Sequence, residues 1–303
     1  MSQLEKIVDK NNDGIVIRQY LKEELGLSTR LIRGASIEKR ILVNDKAVRM
    51  RCVLHEGDKV IVQLDKNESQ NIIPEKIDLD IVYEDSDILV LNKSPFMVVH
   101  PTRSHLTGTL ANGILYYFQE TGQNCIVRLV SRLDMNTSGL IIIAKNQYAH
   151  MALSKIMQEN KLEKRYIAIV HGHLDEMSGT INAPIYKLDD EENAFKRVVD
   201  ERGQESITHY KVIERLKDSD VVECLLETGR THQIRVHLSY LGHPIYGDTL
   251  YGYGEEETEL IDRQALHAYK LKFNSPRTNE ALELRAELPK DMLNLIEKIR
   301  WYL

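Results

Sequence analysis

The sequence predicts an α+β fold in two domains: a small N-terminal α/β unit, and a larger domain whose mixed, largely antiparallel sheet is flanked by helices. The length of 303 residues exceeds what one hydrophobic core usually holds, which favours two domains. Strand-like runs outnumber helical ones after residue 77, and several follow one another with no helix between them. Strict strand–helix alternation would indicate a parallel sheet, so the adjacent strands indicate antiparallel or mixed pairing.

Composition and the opening residues indicate a globular chain without a membrane segment. No apolar run approaches the roughly 20 residues that a spanning helix needs. The first residues, MSQLEKIVDKNNDG, lack the apolar centre of a signal peptide. Cys52, Cys125 and Cys224 are odd in number and widely spaced, which fits neither a metal site nor a disulfide framework. We therefore expect a cytoplasmic protein with reduced thiols and no membrane partner.

Charge is distributed unevenly along the chain. The net charge of −6 would by itself argue against a nucleic-acid partner, because phosphate binding depends on Lys and Arg. Residues 15–64, however, hold ten Lys or Arg against six Asp or Glu, which leaves a local charge of +4. The acidic runs DDEEN (Asp189–Asn193) and EEETE (Glu255–Glu259) are predicted to be solvated loops.

The small unit is predicted over residues 13–66. VIRQYLKEELG has helical spacing and ends at Gly26, a residue type that commonly terminates helices. STRLIRGASIEKR begins at Ser28, a favoured helix-capping residue, so it predicts a second helix. ILVNDKAV and EGDKVIVQL have the turn residues and β-branched runs of strands. Residues 67–76 are polar, lack periodicity and contain Pro74, so we predict a linker there.

The larger domain is predicted over residues 77–303. Short runs rich in β-branched residues predict these strands: LDIVYED, DILVLNKS, LIIIAK, KRYIAIVHG, ESITHYKVIERL, DVVECLLETG, ALHAYKLKF and LELRAEL. Apolar residues at helical spacing, with Gly or Pro at several ends, predict these helices: GTLANGILYYFQETG, QYAHMALSKIMQENKL, THQIRVHLSYLG and PKDMLNLIEKIRWYL. We see no internal repeat and no low-complexity tract in this part of the sequence.

A charged loop leads into one of the buried strands, within VSRLDMNTSGLIIIAKN (residues 130–146). Arg132 and Asp134 flank Leu133, and a polar turn separates them from the strand LIIIAK. The carboxylate has two interpretations: it accepts backbone N–H bonds of the turn, or it belongs to a functional site mounted on a core strand. Arg132 likewise fits an ion-pair partner or a site residue. The residues alone leave both interpretations open.

A second segment, ETGRTHQIRVHLSYLGHPIYGD (Glu227–Asp248), is dense in Arg and His. Arg230, His232, Arg235 and His237 are predicted on a short helix after a Gly turn, with His232 and Arg235 on one face. They fit either a carboxylate or phosphate partner at a site, or a solvated helix face. The histidine pairs here and in HGH lack a Cys or carboxylate at ligand spacing, so no metal site is predicted.

The sequence contains no recognisable cofactor-binding loop. YGYGEEE is too weak a pattern for a nucleotide site, and neither G-x-G-x-x-G nor a P-loop occurs. We therefore expect no cofactor. Two classes remain open at this point: an enzyme that works without a cofactor, and a binding protein.

The loop and strand RLDMNTSGLIIIAK resemble the signature H-R-L-D-x-x-T-S-G-L of the RluA/RluD-type RNA pseudouridine synthases. Four further stretches match that family in order: VVHPTRSHLTGTLANGIL, KRYIAIVHG, ETGRTHQIRVHLSYLGHPIYGDTLYG and LHAYKLKF. Together they cover most of residues 77–288. The N-terminal unit resembles the S-four-type RNA-binding domain, which often precedes this catalytic domain. One departure is Ser131, which stands where the family usually has His.

The resemblance implies an isomerase that breaks the bond from ribose to N1 of uracil, rotates the base and rejoins it through C5. Asp134 is implied to be the catalytic carboxylate, either as a nucleophile or as the acceptor of a sugar proton. Arg235 is implied to be its partner, and Tyr166 to stack on uracil and help remove the C5 proton. Arg132 is implied to hold the RNA open after the base leaves its stack, with Leu133 anchoring the loop.

The implied partner is RNA, most simply large-subunit ribosomal RNA, with transfer RNA as an alternative, and the protein is expected to act as a monomer. Thr137, Arg230 and His232 are assigned to substrate binding beside Arg132 and Leu133. Basic residues of the first unit are expected to contact phosphates, which position RNA without reading its sequence. These residues are Arg30, Arg33, Lys39, Arg40, Arg49 and Arg51.

Two alternatives stand beside this hypothesis. One is a non-catalytic RNA-binding factor in ribosome assembly, against which the complete set of Asp134, Tyr166 and Arg235 argues. The other is a different RNA-modifying enzyme, such as a methyltransferase, with the same N-terminal unit. The absence of a Gly-rich nucleotide loop after a first strand argues against that second alternative.

Overall fold

A computed structural model describes residues 2–64, 70–188 and 195–301. Within these ranges the chain forms a small N-terminal unit and a larger α+β domain. The acidic run Asp189–Asn193 and the first residues of the predicted linker lie outside the described residues. In the described part, no helix is both long and apolar enough to cross a membrane.

The N-terminal unit packs two helices on one four-stranded antiparallel sheet, in the order β1-β4-β2-β3. Its strands are β1 (Gln3–Ile7), β2 (Ile41–Val43), β3 (Lys46–Ala47) and β4 (Lys59–Gln63), and its helices are α1 (Ile17–Glu23) and α2 (Thr29–Ile37). The Ser28 side chain caps α2 by accepting a hydrogen bond from the Leu31 N–H, as its residue type predicts. The two helices and the hairpin therefore follow the sequence prediction.

The sheet of this unit begins before residue 13, where the sequence prediction placed its start. Strand β1 pairs with β4 over its whole length, from Gln3 opposite Gln63 to Ile7 opposite Lys59. In β1 only Leu4 is buried, because this is an edge strand. A short charged segment with one buried residue gives a weak strand pattern, and its pairing partner lies far along the chain.

The larger domain is built on a mixed sheet in the order β10-β13-β14-β9-β15-β8-β6-β5, with β16 beside β15 and β7 beside β8. All of its strand pairs are antiparallel except β15 and β8, which pair in parallel at two positions. The strands are β5 (Ile81–Glu84), β6 (Ile88–Lys93), β7 (Arg128–Leu129), β8 (Ser138–Ala144), β9 (Glu163–His171), β10 (Ser178–Asn182), β11 (Ile185–Lys187), β12 (Arg197–Val199), β13 (Ile207–Arg215), β14 (Ser219–Leu226), β15 (Leu266–Asn274) and β16 (Ala281–Arg285). Strands β11 and β12 form a separate two-stranded ribbon.

Helices cover both faces of the strands that carry the site. The helices are α3 (Leu110–Glu120), α4 (Gln147–Gln158), α5 (Gln233–Tyr240) and α6 (Lys290–Trp301). Leu89, Leu91, Ile141 and Ile143 pack with α3, whereas Ile88, Val90, Leu140 and Ile142 pack with α4. Because both faces are buried, β6 and β8 read as continuous apolar runs instead of alternating ones. Helices α5 and α6 contribute to a third cluster with β9 and β14.

Most of the described part of the predicted linker, residues 67–76, packs on the larger domain. Ile72 is buried in the cluster under α3, and the Gln70 side chain exchanges two hydrogen bonds with the backbone of Val127. The Asn112 side chain donates to the Ile73 carbonyl. The polar composition predicted a solvated linker. The segment is instead ordered because its polar groups bind the backbone and side chains of the domain.

The two units contact each other through α4 and an ion pair with a buried aspartate. Tyr148 and Met151 of α4 pack against the core of the N-terminal unit. Arg277 donates two hydrogen bonds of 2.7 Å to the buried Asp87, and its guanidinium also contacts Ser2. The larger domain thus supplies part of the apolar and polar contacts of the first strand.

Candidate active site

Asp134 lies on the loop between β7 and β8, and its side chain is 26% exposed. The Thr137 N–H donates to the Asp134 carbonyl at 3.1 Å, which closes the turn. Strand β8, which follows, is buried at every position. The carboxylate therefore stands at a cavity wall on a rigid mount, as the charged loop before a buried strand suggested.

Buried side chains hold each of the three residues after Asp134. The donors are all at most 4% exposed, so these bonds lie in the interior. The bonds run from Lys93 Nζ to the Met135 carbonyl (2.9 Å), from Arg263 Nη1 to the Asn136 carbonyl (3.1 Å) and from Gln264 Nε2 to Thr137 Oγ1 (3.2 Å). Three anchors from two distant parts of the chain, Lys93 and the pair Arg263–Gln264, thus fix the loop that carries Asp134.

Lys93 connects two loops at once. Besides Met135, its ammonium donates to the Ser94 carbonyl at 2.8 Å and the Met97 carbonyl at 3.1 Å. Burial and the charge of Arg263 lower the pKa of Lys93 to about 7, although the charge of Asp134 opposes the shift. The three carbonyl acceptors match the three donors of an ammonium group.

Gly139 is required where β8 meets β15. Its φ of +111° favours glycine, and a Cβ there would lie 2.3 Å from the Ala268 carbonyl oxygen. No side chain fits that separation. The Ser-Gly step after the Asp134 loop therefore allows the close approach of the two strands behind the site.

Arg235 connects Asp134 to a fully buried carboxylate. Its Nε and Nη2 donate to Asp248 at 2.7 and 2.8 Å, and its Nη1 donates to Asp134 Oδ2 at 3.2 Å. Burial alone would lower the pKa of Arg235, but the hydrogen bonds and charges of Asp248 and Asp134 raise it. Asp248 also accepts the N–H groups of Leu250 and Tyr251. The guanidinium is thus held in one orientation, with one nitrogen facing the Asp134 loop.

His232 is the second basic group beside Asp134. Its Nε2 lies 3.8 Å from Asp134 Oδ2, and its Nδ1 lies 2.9 Å from the Tyr251 hydroxyl. That hydroxyl also accepts the Arg197 N–H, so it joins His232 to the strand β12. Burial lowers the pKa of His232, and the charges of Arg235 and Arg197 add to this, whereas Asp134 opposes it.

Tyr166 and Lys164 lie on the same side of β9. Both side chains line the cavity, and Tyr166 is 7% exposed. Burial, together with the charge of Asp134, raises the pKa of Tyr166, so its phenol keeps its proton at neutral pH. Burial also lowers the pKa of Lys164.

One cavity of about 900 Å³ collects the residues predicted for the larger domain. They are Arg132, Leu133, Asp134, Thr137, Tyr166, Arg230, His232 and Arg235. These residues come from the β7–β8 loop, from β9 and from the segment around the start of α5. The helix begins at Gln233, so Arg230 and His232 precede it instead of lying on it, and His232 has a left-handed φ of +59°.

Within this set the side chains differ in exposure. Arg132 is exposed, whereas Leu133 packs against two core clusters, as expected for a loop anchor. Thr137 is only 2% exposed, and its hydroxyl accepts the bond from Gln264. Its assignment to RNA binding stays a prediction, and in this structure the hydroxyl supports the loop inside the protein.

The basic residues predicted for the first unit also separate into two groups. Arg30 and Arg33 are exposed on α2, three positions apart, and Lys39 is exposed just after the helix. Arg40 is 8% exposed, and its guanidinium donates to Glu38 and to the Gln63 carbonyl. Its role in RNA contact stays a prediction that these contacts do not support, because the side chain is occupied by a structural ion pair at the end of the sheet.

The histidine pairs have structural partners. His171 Nε2 lies 2.6 Å from Glu257, which also accepts the Gly247 N–H, and His173 Nδ1 lies 2.9 Å from the buried Asp220. His237 is fully buried and hydrogen-bonds Thr208 and the Ala183 carbonyl. Glu257, at 7% exposure, corrects the prediction that the whole run Glu255–Glu259 is solvated.

The arrangement joins a partly exposed carboxylate, a clamped guanidinium and a buried tyrosine in one basic cavity. Such a site can bind a polyanion and present a carboxylate to it. The fold and the site together define an enzyme class that works on RNA, and comparisons with known proteins agree.

The family described as RNA pseudouridylate synthase matches residues 87–240. The chain is 42% identical to the RNA pseudouridine synthase YjbO of Bacillus subtilis over 285 residues, covering 93% of this chain and 99% of that protein. It is 37% identical to a ribosomal large subunit pseudouridine synthase D of Neisseria meningitidis, covering 87% of this chain and 72% of the relative. This chain belongs to the RNA pseudouridylate synthase family, and it is an RNA pseudouridine synthase.

Solved structures agree with this assignment. Human RNA Pseudouridylate Synthase Domain Containing 1 superposes with a TM-score of 0.58 at 28% identity, covering 74% of this chain and 95% of that one. Human RNA Pseudouridylate Synthase Domain Containing 4 shares the fold with a TM-score of 0.59. The predicted α+β class with a mixed, largely antiparallel sheet is confirmed.

Sequence reasoning missed three residues that complete the site. Lys93, Lys164 and Asp248 each contact the cavity or its supporting loops, although none had been singled out. Asp248 is the last residue of the segment that contains Arg235, and Lys164 lies two positions before Tyr166. For Asp248 and Lys164, closeness in sequence to a predicted site residue is the only signal that the sequence offers.

Proposed function

We propose that Asp134 is the catalytic carboxylate of this synthase and that its pairing with Arg235 orients it. The observation that supports this proposal is the 3.2 Å bond from Arg235 Nη1, because the rest of that guanidinium is fixed by Asp248. A charge-assisted bond from a fixed guanidinium holds the carboxylate in one direction. The side chain is nevertheless 26% exposed to the cavity, so a substrate atom can reach it.

The reaction rearranges uridine without adding or removing atoms overall. The bond between C1′ and N1 breaks, the uracil rotates, and a bond between C1′ and C5 forms. The C5 hydrogen is lost as a proton and N1 gains one, so no oxidant and no cofactor are needed. In this scheme ionised Asp134 attacks the sugar or the base, or accepts a sugar proton. Each of these roles uses the same carboxylate at the cavity wall.

Tyr166 is assigned to holding the base. Its raised pKa keeps the phenol protonated at neutral pH, so we assign it to stacking and hydrogen-bond donation instead of removal of the C5 proton. It lines the same cavity as Asp134 and feels its charge. This narrows the role that the family resemblance implied for it.

Arg132 is assigned to the RNA opening. It is exposed beside Asp134, and the target base must leave its stack before the carboxylate reaches it. Extrusion costs a few kcal/mol and least in loops, so a cation that occupies the vacated space offsets part of that cost. Leu133, packed in two core clusters, keeps the neighbouring Arg132 and Asp134 at fixed positions.

The substrate proposed is large-subunit ribosomal RNA. Relatives named ribosomal large subunit pseudouridine synthase D support it, at 36 to 38% identity. The N-terminal unit, which resembles an S-four-type domain, presents Arg30, Arg33 and Lys39 on its surface. Those cations suit phosphate contacts to folded RNA, outside the catalytic cavity.

The test is tritium release from RNA labelled at C5 of uridine. We expect the wild type to release tritium from ribosomal RNA transcripts, and Asp134→Asn to release none while it binds RNA as tightly. Asp175→Asn, an exposed aspartate after β9, is the matched control and should keep full activity. Full tritium release by Asp134→Asn would contradict the proposed catalytic role of Asp134. Release from transfer RNA alone would overturn the proposed substrate.

A further inference from the structure

Lys164 presents its ammonium to the catalytic cavity from β9. Its side chain lines the cavity wall together with Tyr166, two positions along the strand. A Cβ placed on Gly229 would lie 3.5 Å from Lys164 Nζ, so the ammonium lies beside the segment that precedes α5. The absence of a side chain at Gly229 leaves that position open.

The ammonium of Lys164 has no counterion among the residues that the structure describes. There, Lys164 makes neither a hydrogen bond nor an ion pair, whereas its neighbour Arg165 pairs with Glu163 and Glu223. Lys164 is half-buried, and burial lowers its pKa. Partial burial of an unpaired cation costs free energy, which a bound anion would offset.

The charges of the cavity favour the same conclusion. Arg132 and Arg230 also line it without an ion pair to any described carboxylate, and the Arg230 guanidinium donates to the Glu205 carbonyl. Asp134 is the one carboxylate among the described residues that line the cavity. The cavity therefore carries more positive than negative charge, which suits a phosphodiester backbone.

Lys164 Nζ lies beside Gly229, in the segment that precedes α5. It forms no ion pair with Asp134, whose described partners are Arg235 and His232. This place at the cavity wall suits contact with the strand that flanks the target more than contact with the ribose C1′. An ammonium acts there as a point charge for a phosphate.

We infer that Lys164 binds a backbone phosphate of the RNA strand next to the extruded uridine. The inference rests on the proposed function only in that the strand enters the same cavity as the target base. It assigns to Lys164 a role in binding RNA and none in the bond rearrangement.

The test measures binding of a fluorescein-labelled oligouridylate of about twelve nucleotides by fluorescence anisotropy, between about 50 and 300 mM NaCl. Each phosphate contact to a single strand contributes about 0.7 to the slope of log affinity against log salt concentration, so the slope reports the number of contacts. We expect Lys164→Gln to bind about tenfold to a hundredfold more weakly. The slope should fall by about 0.7, and Lys164→Arg should restore it. Because the free protein loses an unpaired cation, Lys164→Gln should also melt no lower than the wild type.

Lys161→Gln is the matched control. That lysine is largely exposed and pairs with Glu159 outside the cavity, so its removal should leave the slope unchanged. A methylphosphonate oligouridylate, whose backbone is uncharged, should bind the wild type and Lys164→Gln equally. Weaker binding of that neutral strand by Lys164→Gln would show that Lys164 reads base or sugar, and an unchanged slope on the charged strand would likewise overturn the inference.

These readouts are independent of catalysis. If the wild type released no tritium from any RNA, the proposed function would fail, but the oligouridylate slopes would still decide the role of Lys164. Conversely, full tritium release with an unaltered slope in Lys164→Gln would overturn the phosphate site alone.

Discussion

At the scale of single residues, the site depends on carboxylates with different tasks. Asp134 faces the cavity with 26% exposure, whereas Asp248 is fully buried and binds Arg235 through both oxygens. The buried aspartate therefore sets the orientation of the guanidinium, and the guanidinium in turn orients Asp134. A positioning residue of this kind affects turnover without touching RNA.

Asp248→Asn tests that chain of contacts. The amide keeps the shape of the side chain but loses its charge and one of its two acceptors, so Arg235 loses its bidentate clamp. We expect kcat to fall about tenfold to a hundredfold with KM for RNA near the wild-type value, measured by tritium release. Asp218→Asn, at an exposed turn, is the control. A variant with wild-type kcat would contradict the role of Asp248 as a positioning residue.

The site could be predicted in part from the sequence because part of it is local. Asp134, Arg132 and Leu133 lie in one signature, and Arg235 lies in a second dense segment. The buried supports Lys93 and Arg263 act through backbone carbonyls of the loop, and carbonyls leave no mark in the sequence. Arg40 shows a second limit of sequence prediction: a basic residue is expected on the surface, but this one is buried.

At the scale of elements, the two halves of the large sheet meet at the parallel contact between β15 and β8. His267 of β15 lies opposite Ser138 of β8, and its Nδ1 is 2.9 Å from the Ser138 hydroxyl. Its Nε2 lies 3.3 Å from the Ala286 carbonyl, which can only accept. The neutral ring therefore donates from Nε2 and accepts from Ser138, just behind the Asp134 loop.

Protonation of His267 should weaken this contact at acidic pH. Burial lowers the pKa of His267 to about 4, whereas an unfolded histidine has a pKa of about 6.5. Between those values only the unfolded chain binds the proton, so the free energy of unfolding should fall as pH drops, by about 1 kcal/mol per pH unit from this residue. Urea unfolding at pH 4.5, 5.5 and 6.5 should show a shallower dependence in His267→Gln. Parallel pH dependences in variant and wild type would contradict this.

Most elements followed from local patterns, and the exceptions have a common physical cause. Strands such as β6, β8 and β9 form continuous apolar runs because both faces are buried. Strand β1 and residues 70–76 gain their order from partners far along the chain, with few buried side chains of their own. Because their local composition is polar, the sequence alone predicts no regular structure for β1 or for residues 70–76.

At the scale of the whole molecule, the first strand depends on the larger domain. Arg277 connects the buried Asp87 of that domain to Ser2 and to the Gln3 carbonyl in the N-terminal unit. Tyr148 and Met151 add apolar contacts to the core of that unit. The two units are therefore expected to unfold together.

Arg277→Gln tests this coupling. The substitution leaves Asp87, at 1% exposure, without its cationic partner, so we expect a loss of about 3 kcal/mol in urea unfolding. Arg285→Gln removes an exposed pair with Glu283 and the same charge, and it should change stability by less than about 0.5 kcal/mol. Equal losses in the two variants would indicate that the junction contributes no more than a surface ion pair.

The three anchors behind Asp134 have a consequence for how target sites are chosen. A loop fastened through Lys93, Arg263 and Gln264 cannot adapt its shape to different RNA sequences. The conformational adjustment then falls on the nucleic acid. The preferred uridines are those whose surrounding RNA costs the least free energy to distort. An enzyme of this kind selects for pliability in its substrate, and modified positions should concentrate where RNA is already easiest to deform.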